Sequence, residues 1–182
     1  MSKVLVYIAD GMEEVECLSV VDMLRRGGVE TQMVSINGKT EVIGAHSIRV
    51  GADCLLADSD PDGADMLFLP GGMPGTKYLR ESPEVCDALK AAAAAGKHLA
   101  AICAAPSVLG ELHLLEGKKA TCYPGFEERL LGAEYCHDGV VTDGAVTTSR
   151  GVGFAVDLGL ELVRILQGEE KSAEIRESIQ HP

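Results

Sequence analysis

Hydrophobic and polar positions in this chain switch repeatedly between a period of two and a period near 3.6. The apolar run Lys3–Ile8 reads as a buried strand and ends in the turn Asp10-Gly11-Met12. Helical spacing follows from about Glu13 to Arg26, with Arg25 and Arg26 in the last turn and Gly27-Gly28 stopping it. Val29–Ser35 reads as a strand. The turn Asn37-Gly38-Lys39 then opens two short alternating segments, Thr40–Ile43 and Ser47–Val50, which predict an edge hairpin. Met66–Leu69 is a short buried strand that runs into Pro70-Gly71-Gly72-Met73-Pro74-Gly75.

In the second half, Ser82 caps a helix with Pro83 at its first position, and Gly96 terminates it after five alanines. His98–Ile102 is a strand, and Pro106 begins the next helix. A strand near Ala120–Cys122, a short helix around Phe126–Leu131 and a hairpin of Val140–Asp143 with Ala145–Thr148 come next. The last long helix runs from about Val152 to Gln167, with Asp157, Glu161 and Arg164 on one wet stripe. The charged tail after Gly168 has a weak helical pattern. No repeat or linker splits residues 1–182, so one domain is expected. The order predicts a doubly wound α/β fold, a mostly parallel sheet with helices on both faces.

Composition narrows the class. The 182 residues are 46% hydrophobic but only 4% aromatic, giving a core of aliphatics and alanine that suits a covered parallel sheet. The net charge of −12 without a basic run argues against nucleic acid and anionic membranes as partners. No stretch is long enough to span a bilayer and no apolar leader precedes Lys3, so a cytoplasmic protein is expected. Six irregularly spaced cysteines form no CxxC pair and no zinc spacing, so no metal is expected. Five of them read as reduced structural residues. Cys122, ending a predicted strand, is a weak second candidate for chemistry.

Cys103 is the exception. It sits in His98-Leu99-Ala100-Ala101-Ile102-Cys103-Ala104-Ala105-Pro106, a buried strand feeding a helix through a tight turn. Such a turn pushes the sulfur out at the carboxyl edge of the sheet, as in a nucleophile elbow. The N–H groups of the first helical turn favour a thiolate there. Three loops should meet at that edge: Asp10–Glu16, Pro70–Gly75 and Cys103–Pro106. The Gly72 and Ala104 N–H groups are placed to hold a developing oxyanion. The glycine loop, with Gly71 and Gly72, is not GxGxxG, and no acidic ribose partner follows it. No dinucleotide, and no cofactor of any kind, is expected.

The first loop carries Glu13, Glu14 and Glu16. Glu13 and Glu14 read as first-turn carboxylates favoured by the helix dipole. Glu16, flanked by Val15, Cys17 and Leu18, is open to two readings, another such carboxylate or a buried acid. If buried, its pKa rises and it stays protonated near neutral pH, able to exchange protons with a substrate carbon.

These residues resemble the ThiJ/PfpI family, in the branch of the parkinsonism-associated deglycase and its bacterial relatives. The resemblance rests on Ala9-Asp10-Gly11-Met12-Glu13-Glu14-Val15-Glu16, Asp22-Met23-Leu24-Arg25-Arg26-Gly27-Gly28 and Leu69-Pro70-Gly71-Gly72. It continues with Ala100-Ala101-Ile102-Cys103-Ala104-Ala105-Pro106 and Thr148-Ser149-Arg150-Gly151, in order across nearly the whole chain. It implies a flavodoxin-like sandwich that forms a homodimer through the first helix. Cys103 matches the family's oxidisable nucleophile, Glu16 its protonated glutamate, and Gly72 and Ala104 its backbone donors. Tyr123 stands where some members place an active-site histidine, and His46 where some use an arginine near the dimer interface. Ala104 replaces the histidine that follows the cysteine in the protease-like branch.

The resemblance implies a glyoxalase III-type enzyme acting on methylglyoxal or glyoxal, or on glycated protein. Two other readings keep Cys103: a redox-sensing protein or chaperone with little turnover, and a cysteine hydrolase or amidase, for which no base is evident.

Overall fold

The computed structural model describes residues 2–182. Its centre is a seven-stranded sheet. The strands and helices run β1 (Lys3–Ile8), α1 (Glu14–Arg26), β2 (Glu30–Ser35), β3 (Glu41–Ile43), β4 (Arg49–Gly51), β5 (Cys54–Leu55), β6 (Met66–Leu69) and α2 (Gly75–Glu81). Then come α3 (Pro83–Ala94), β7 (His98–Ile102), α4 (Pro106–Glu111), β8 (Lys119–Ala120), β9 (Glu134–Tyr135), β10 (Val140–Asp143), β11 (Val146–Ser149), α5 (Ala155–Gln167) and α6 (Glu169–Ser178).

The sheet order is β10-β11-β7-β6-β1-β2-β5, parallel throughout except for β10, which returns antiparallel to β11. This is the flavodoxin-like, doubly wound architecture expected from the sequence. Alternate residues of β1 divide between two cores. Val4, Val6 and Ile8 pack with α1 and α5, whereas Leu5, Tyr7 and Ala9 pack with residues of α2, α3 and α4. Helix α5 lies tightly on α1 because Gly159 faces Val20 and Met23, where a Cβ would come within 2.7 Å of Met23. The chain diverges from β1 to β2 on one side and to β6 on the other. That divergence opens a crevice at the carboxyl ends of β1, β6 and β7.

Several expectations change. The hairpin of Thr40–Ile43 with Ser47–Val50 forms (as β3 and β4), but in a two-stranded sheet of its own, and β5 is the true edge. The hairpin is tied down instead onto the loop after β1. Gly11 N–H donates to the Ile43 carbonyl at 2.7 Å, Ala45 N–H to the Met12 carbonyl at 2.8 Å, and Ile43 N–H to Asp10 Oδ1 at 2.8 Å.

The strand expected at Ala120–Cys122 shrinks to Lys119–Ala120, paired with β9. Thr121 N–H goes to Thr148 Oγ1 at 2.9 Å and Tyr123 N–H to the Cys103 carbonyl at 2.7 Å, so neither is free for a ladder. Helix α2 was hidden by the density of proline and glycine before it. The tail after Gly168 is helix α6, docked on α5. His181 reaches Asp157 Oδ1 at 2.9 Å. The wet stripe of α5 is thus partly covered.

Candidate functional site

Strand β7 delivers Cys103 to the crevice, and the backbone there turns sharply. Cys103 has φ +65°, a left-handed conformation that costs a residue with a Cβ about 1 kcal/mol. It is held by two backbone hydrogen bonds, Cys103 N–H to the Ser149 carbonyl at 2.8 Å and Tyr123 N–H to the Cys103 carbonyl at 2.7 Å. Pro106 then starts α4 at its first position, as expected. The half-buried side chain is forced out of the sheet plane, and its sulfur meets the backbone N–H groups of Gly72 and Ala104. These are the two donors that the sequence marked.

Glu16 comes from the first turn of α1. Glu13 caps that helix, its Oε2 accepting the Glu16 N–H at 2.6 Å. The Glu16 side chain is 1% exposed, hydrogen-bonds Cys103, and accepts the Gly71 N–H at 3.1 Å through Oε2. Of its two open readings, the buried acid is the one present. Burial above all raises its pKa from 4.5 to about 7, aided by the Glu13 charge and opposed by the hydrogen bonds from Cys103 and Gly71.

The sulfur departs from expectation. Backbone N–H groups favour its anion as anticipated, but burial and the facing Glu16 carboxylate outweigh them and push the thiol up to about 12. These two titrations belong to the pair rather than to either residue. Once Glu16 holds the proton, its repulsion of the sulfur anion is gone. Between the two transitions the pair as a whole holds one proton. The elbow therefore holds a proton-sharing couple, not an isolated thiolate.

Gly71 explains why this geometry needs a glycine. A Cβ there would lie 2.4 Å from Glu16 Oε2, 2.6 Å from Cys103 Cβ and 2.8 Å from the Ile102 carbonyl. Its carbonyl also accepts the Glu13 N–H at 2.9 Å. Gly71→Ala is expected to separate the pair, lowering any Cys103-dependent activity by at least about 10²-fold, as misplacement of about 1 Å does. Overpacking should also cost about 1–3 kcal/mol in denaturant unfolding.

Tyr123 is half exposed and reaches the site mainly through its backbone. Its ring passes over Gly151, and with Arg150, Val152 and Phe154 it walls a shallow, apolar cavity of about 270 Å³ beside the nucleophile turn. Cys122 is fully buried, and burial pushes its thiol up to about 12, so it is a packing residue.

Glu14 is a first-turn carboxylate of α1 as expected, but the β3–β4 hairpin covers it. It is 2% exposed and not solvent-facing. Its Oε1 accepts the His46 and Ile48 N–H groups at 2.8 and 3.3 Å, and its Oε2 pairs with His46 Nδ1 at 3.0 Å. Burial pushes its carboxyl up, but the hydrogen bonds from His46 and Ile48 outweigh burial and set it below the usual carboxylate range, and Glu14 in turn raises His46. No local signal marked it, because the hairpin that covers Glu14 lies about thirty residues along the chain. Glu13, Glu14 and His46 place ligand-type atoms within 4.8 Å of one another. The Glu14 oxygens are taken by these donors, so the group serves as a latch between α1 and the hairpin.

Fold and site together define a class: a flavodoxin-like α/β protein with a cysteine elbow and a buried glutamate at the carboxyl edge of its sheet. Residues 2–165 match the model of the DJ-1/PfpI family, and this chain belongs to that family. It is 39% identical over 175 residues to Protein DJ-1 homolog B of Arabidopsis thaliana, covering 95% of this chain and 40% of the relative. The chain thus spans less than half of that relative's length. It is 34% identical over 163 residues to Caenorhabditis elegans Glutathione-independent glyoxalase DJR-1.2, covering 88% of this chain and 86% of that protein. The solved structure of oxidized Toxoplasma gondii DJ-1 superposes with a TM-score of 0.95 at 34% identity, covering 99% of this chain and 98% of the other.

Proposed function

We propose that the protein converts small 2-oxoaldehydes such as methylglyoxal or glyoxal to 2-hydroxy acids without a metal or glutathione. The observation that carries this reading is the convergence on one sulfur of a buried, proton-sharing Glu16 and two backbone N–H donors. As the Cys103 sulfur adds to the aldehyde carbon, its proton passes to Glu16. The new alkoxide is held by the Gly72 and Ala104 N–H groups and then takes that proton, giving a hemithioacetal.

Glu16 next removes the hydrogen from the former aldehyde carbon. The electron pair forms an enediol with the neighbouring carbonyl, whose oxygen takes that proton from Glu16. The hydroxyl on the sulfur-bearing carbon then gives its proton to Glu16, and Glu16 passes a proton to the neighbouring carbon, leaving a thioester. Water hydrolyses it to lactate or glycolate and restores the thiol. The substituent on the ketone carbon fits the apolar hollow of Tyr123, Val152 and Phe154. The glyoxalase name of the nematode relative supports the same chemistry.

The histidines give no support to an amidase. His46 pairs with Glu14, His98 with Thr147 Oγ1 at 2.8 Å, His113 with Glu116 at 2.9 Å and His181 with Asp157, while His137 packs edge-on to Tyr135. A redox-sensing role rests on the same half-buried sulfur, since a protonated Glu16 would donate to a sulfinate. Direct deglycation of protein, chaperone action, a homodimer and a cytoplasmic location belong with these proposals. Among the described residues no helix is long and apolar enough to cross a membrane.

The test is to incubate protein treated with a chelator, free of glutathione, with methylglyoxal and to follow lactate. Lactate should accumulate, carrying solvent deuterium at C2 when the reaction runs in D₂O. No lactate, together with selective dioxygenation of Cys103 by mild peroxide, would favour the sensor instead.

A further inference from the structure

Glu13 closes a ring of three hydrogen bonds that joins Glu16 to the glycine loop. Its backbone N–H donates to the Gly71 carbonyl at 2.9 Å, and the Gly71 N–H donates to Glu16 Oε2 at 3.1 Å. The Glu16 N–H then returns to Glu13 Oε2 at 2.6 Å. Helix and loop approach closely here, since a Cβ on Gly72 would strike the Glu13 nitrogen. Glu16 is thereby held at both ends, its backbone by the cap and its carboxylate by Gly71.

The charge of Glu13 has no full counterpart. Its side chain is 15% exposed, and among the described residues no Lys or Arg pairs with it. His46 Nδ1 lies 3.7 Å from Glu13 Oε1 but is engaged first by Glu14 Oε2, at 3.0 Å. Arg25 stands in the last turn of α1, at its far end. Cys17 is wholly buried, and burial above all pushes its thiol up to about 12, so it stays neutral. The titratable groups that act on Glu16 are therefore Glu13 from its own helix and Cys103 from the elbow. The helix N-terminus favours the Glu13 charge, and that charge opposes a second one beside it.

We propose that Glu13 is a positioning residue for the Glu16–Cys103 pair: its carboxylate aims Glu16 through the cap, and its charge disfavours a second anion at Glu16. The catalytic consequence rests on the reaction proposed above. A Glu16 that ionises less readily is a stronger base toward the hydrogen on the hemithioacetal carbon.

The test titrates the full-length protein by NMR without substrate, with carbon-13 in the glutamate carboxyls and the Glu16 signal identified by its loss in Glu16→Gln. Glu13→Gln keeps an oxygen for the cap but no charge, Glu13→Asp keeps both, and Glu13→Ala keeps neither. The Glu16 midpoint should fall from about 7 by about one pH unit in Glu13→Gln and Glu13→Ala, and stay with the parent in Glu13→Asp. Above these midpoints the Gly71 amide proton should keep its shift in Glu13→Gln and Glu13→Asp. In Glu13→Ala it should move upfield, as Glu16 loses its aim.

Lactate formation is then followed against pH. Its midpoint should move down with that of the carboxyl, and its plateau should fall about threefold in Glu13→Gln and about tenfold further in Glu13→Ala. An unchanged Glu16 midpoint in Glu13→Gln would overturn the proposal, and so would a Gly71 amide and plateau in Glu13→Ala that match those of Glu13→Gln. A parent that forms no lactate, while the carboxyl midpoints and the Gly71 amide behave as expected, would sink the function proposed above and support the role of Glu13.

Discussion

Cys103→Ser is expected to lose methylglyoxal conversion by more than about 10³-fold, a loss of about 4 kcal/mol in transition-state stabilisation. Serine keeps the size and the left-handed elbow, with both backbone hydrogen bonds through Ser149 and Tyr123 intact. What changes is the atom: a hydroxyl is a far weaker acid than a thiol, and Glu16 with two N–H donors cannot draw its proton off. The thermal midpoint should stay within a few degrees of the parent, because the side chain is partly exposed and only partly packed on the core. Turnover within tenfold of the parent, measured as lactate from chelator-treated protein, would remove Cys103 from the chemistry and the proposed function with it.

Glu16→Gln should be nearly as damaging to rate, but unlike Cys103→Ser it should also raise stability. Glutamine still accepts the Gly71 N–H, but it carries no proton between carbons, so turnover should drop by about 10²- to 10⁴-fold. Stability follows from the raised pKa. Glu16 titrates at 4.5 when unfolded and near 7 in the fold, so between those values the native state binds more protons than the unfolded one. Stability is therefore lost as pH rises from 4.5 to 7, by about 3 kcal/mol for a shift of this size. Removing the carboxylate removes that loss. Above pH 7 the glutamine protein should unfold at higher denaturant than the parent, and the two curves should converge toward pH 5. Parallel curves across that range would mean that Glu16 is not held as a buried acid.

The pair also sets the pH dependence of the reaction. Glu16 must be ionised to take the sulfur proton, so turnover should rise as pH passes upward through about 7. The second transition, at about 12, lies beyond any useful assay. A profile that falls from pH 6 to 8 would show that the productive form carries its proton on Glu16 before substrate arrives.

Much of this molecule is determined one-dimensionally. Apolar runs at Lys3–Ile8, Met66–Leu69 and His98–Ile102 can be buried on both faces only as inner parallel strands, so the doubly wound sheet follows from their spacing. Pro106 after an apolar strand fixes the elbow, because proline has no N–H to donate and its φ suits a first helical turn. The positions of Cys103, Gly72, Ala104 and Gly71 at one sheet edge follow from that topology.

Charge and protonation were decided only by three-dimensional packing. Glu14 and Glu16 are chemically identical residues in one helical turn, both almost wholly buried. One faces the His46 hairpin, whose three N–H groups keep it ionised; the other faces a sulfur and a single Gly71 N–H, and burial there raises its pKa. No local pattern distinguishes them, since the partners lie about thirty residues away for Glu14 and more than fifty for Glu16. The Tyr7 hydroxyl, fully buried in β1 without a protein partner, is of the same kind. Period-2 alternation says which face a strand residue joins, but only the packed neighbours say whether its polar atom finds a partner.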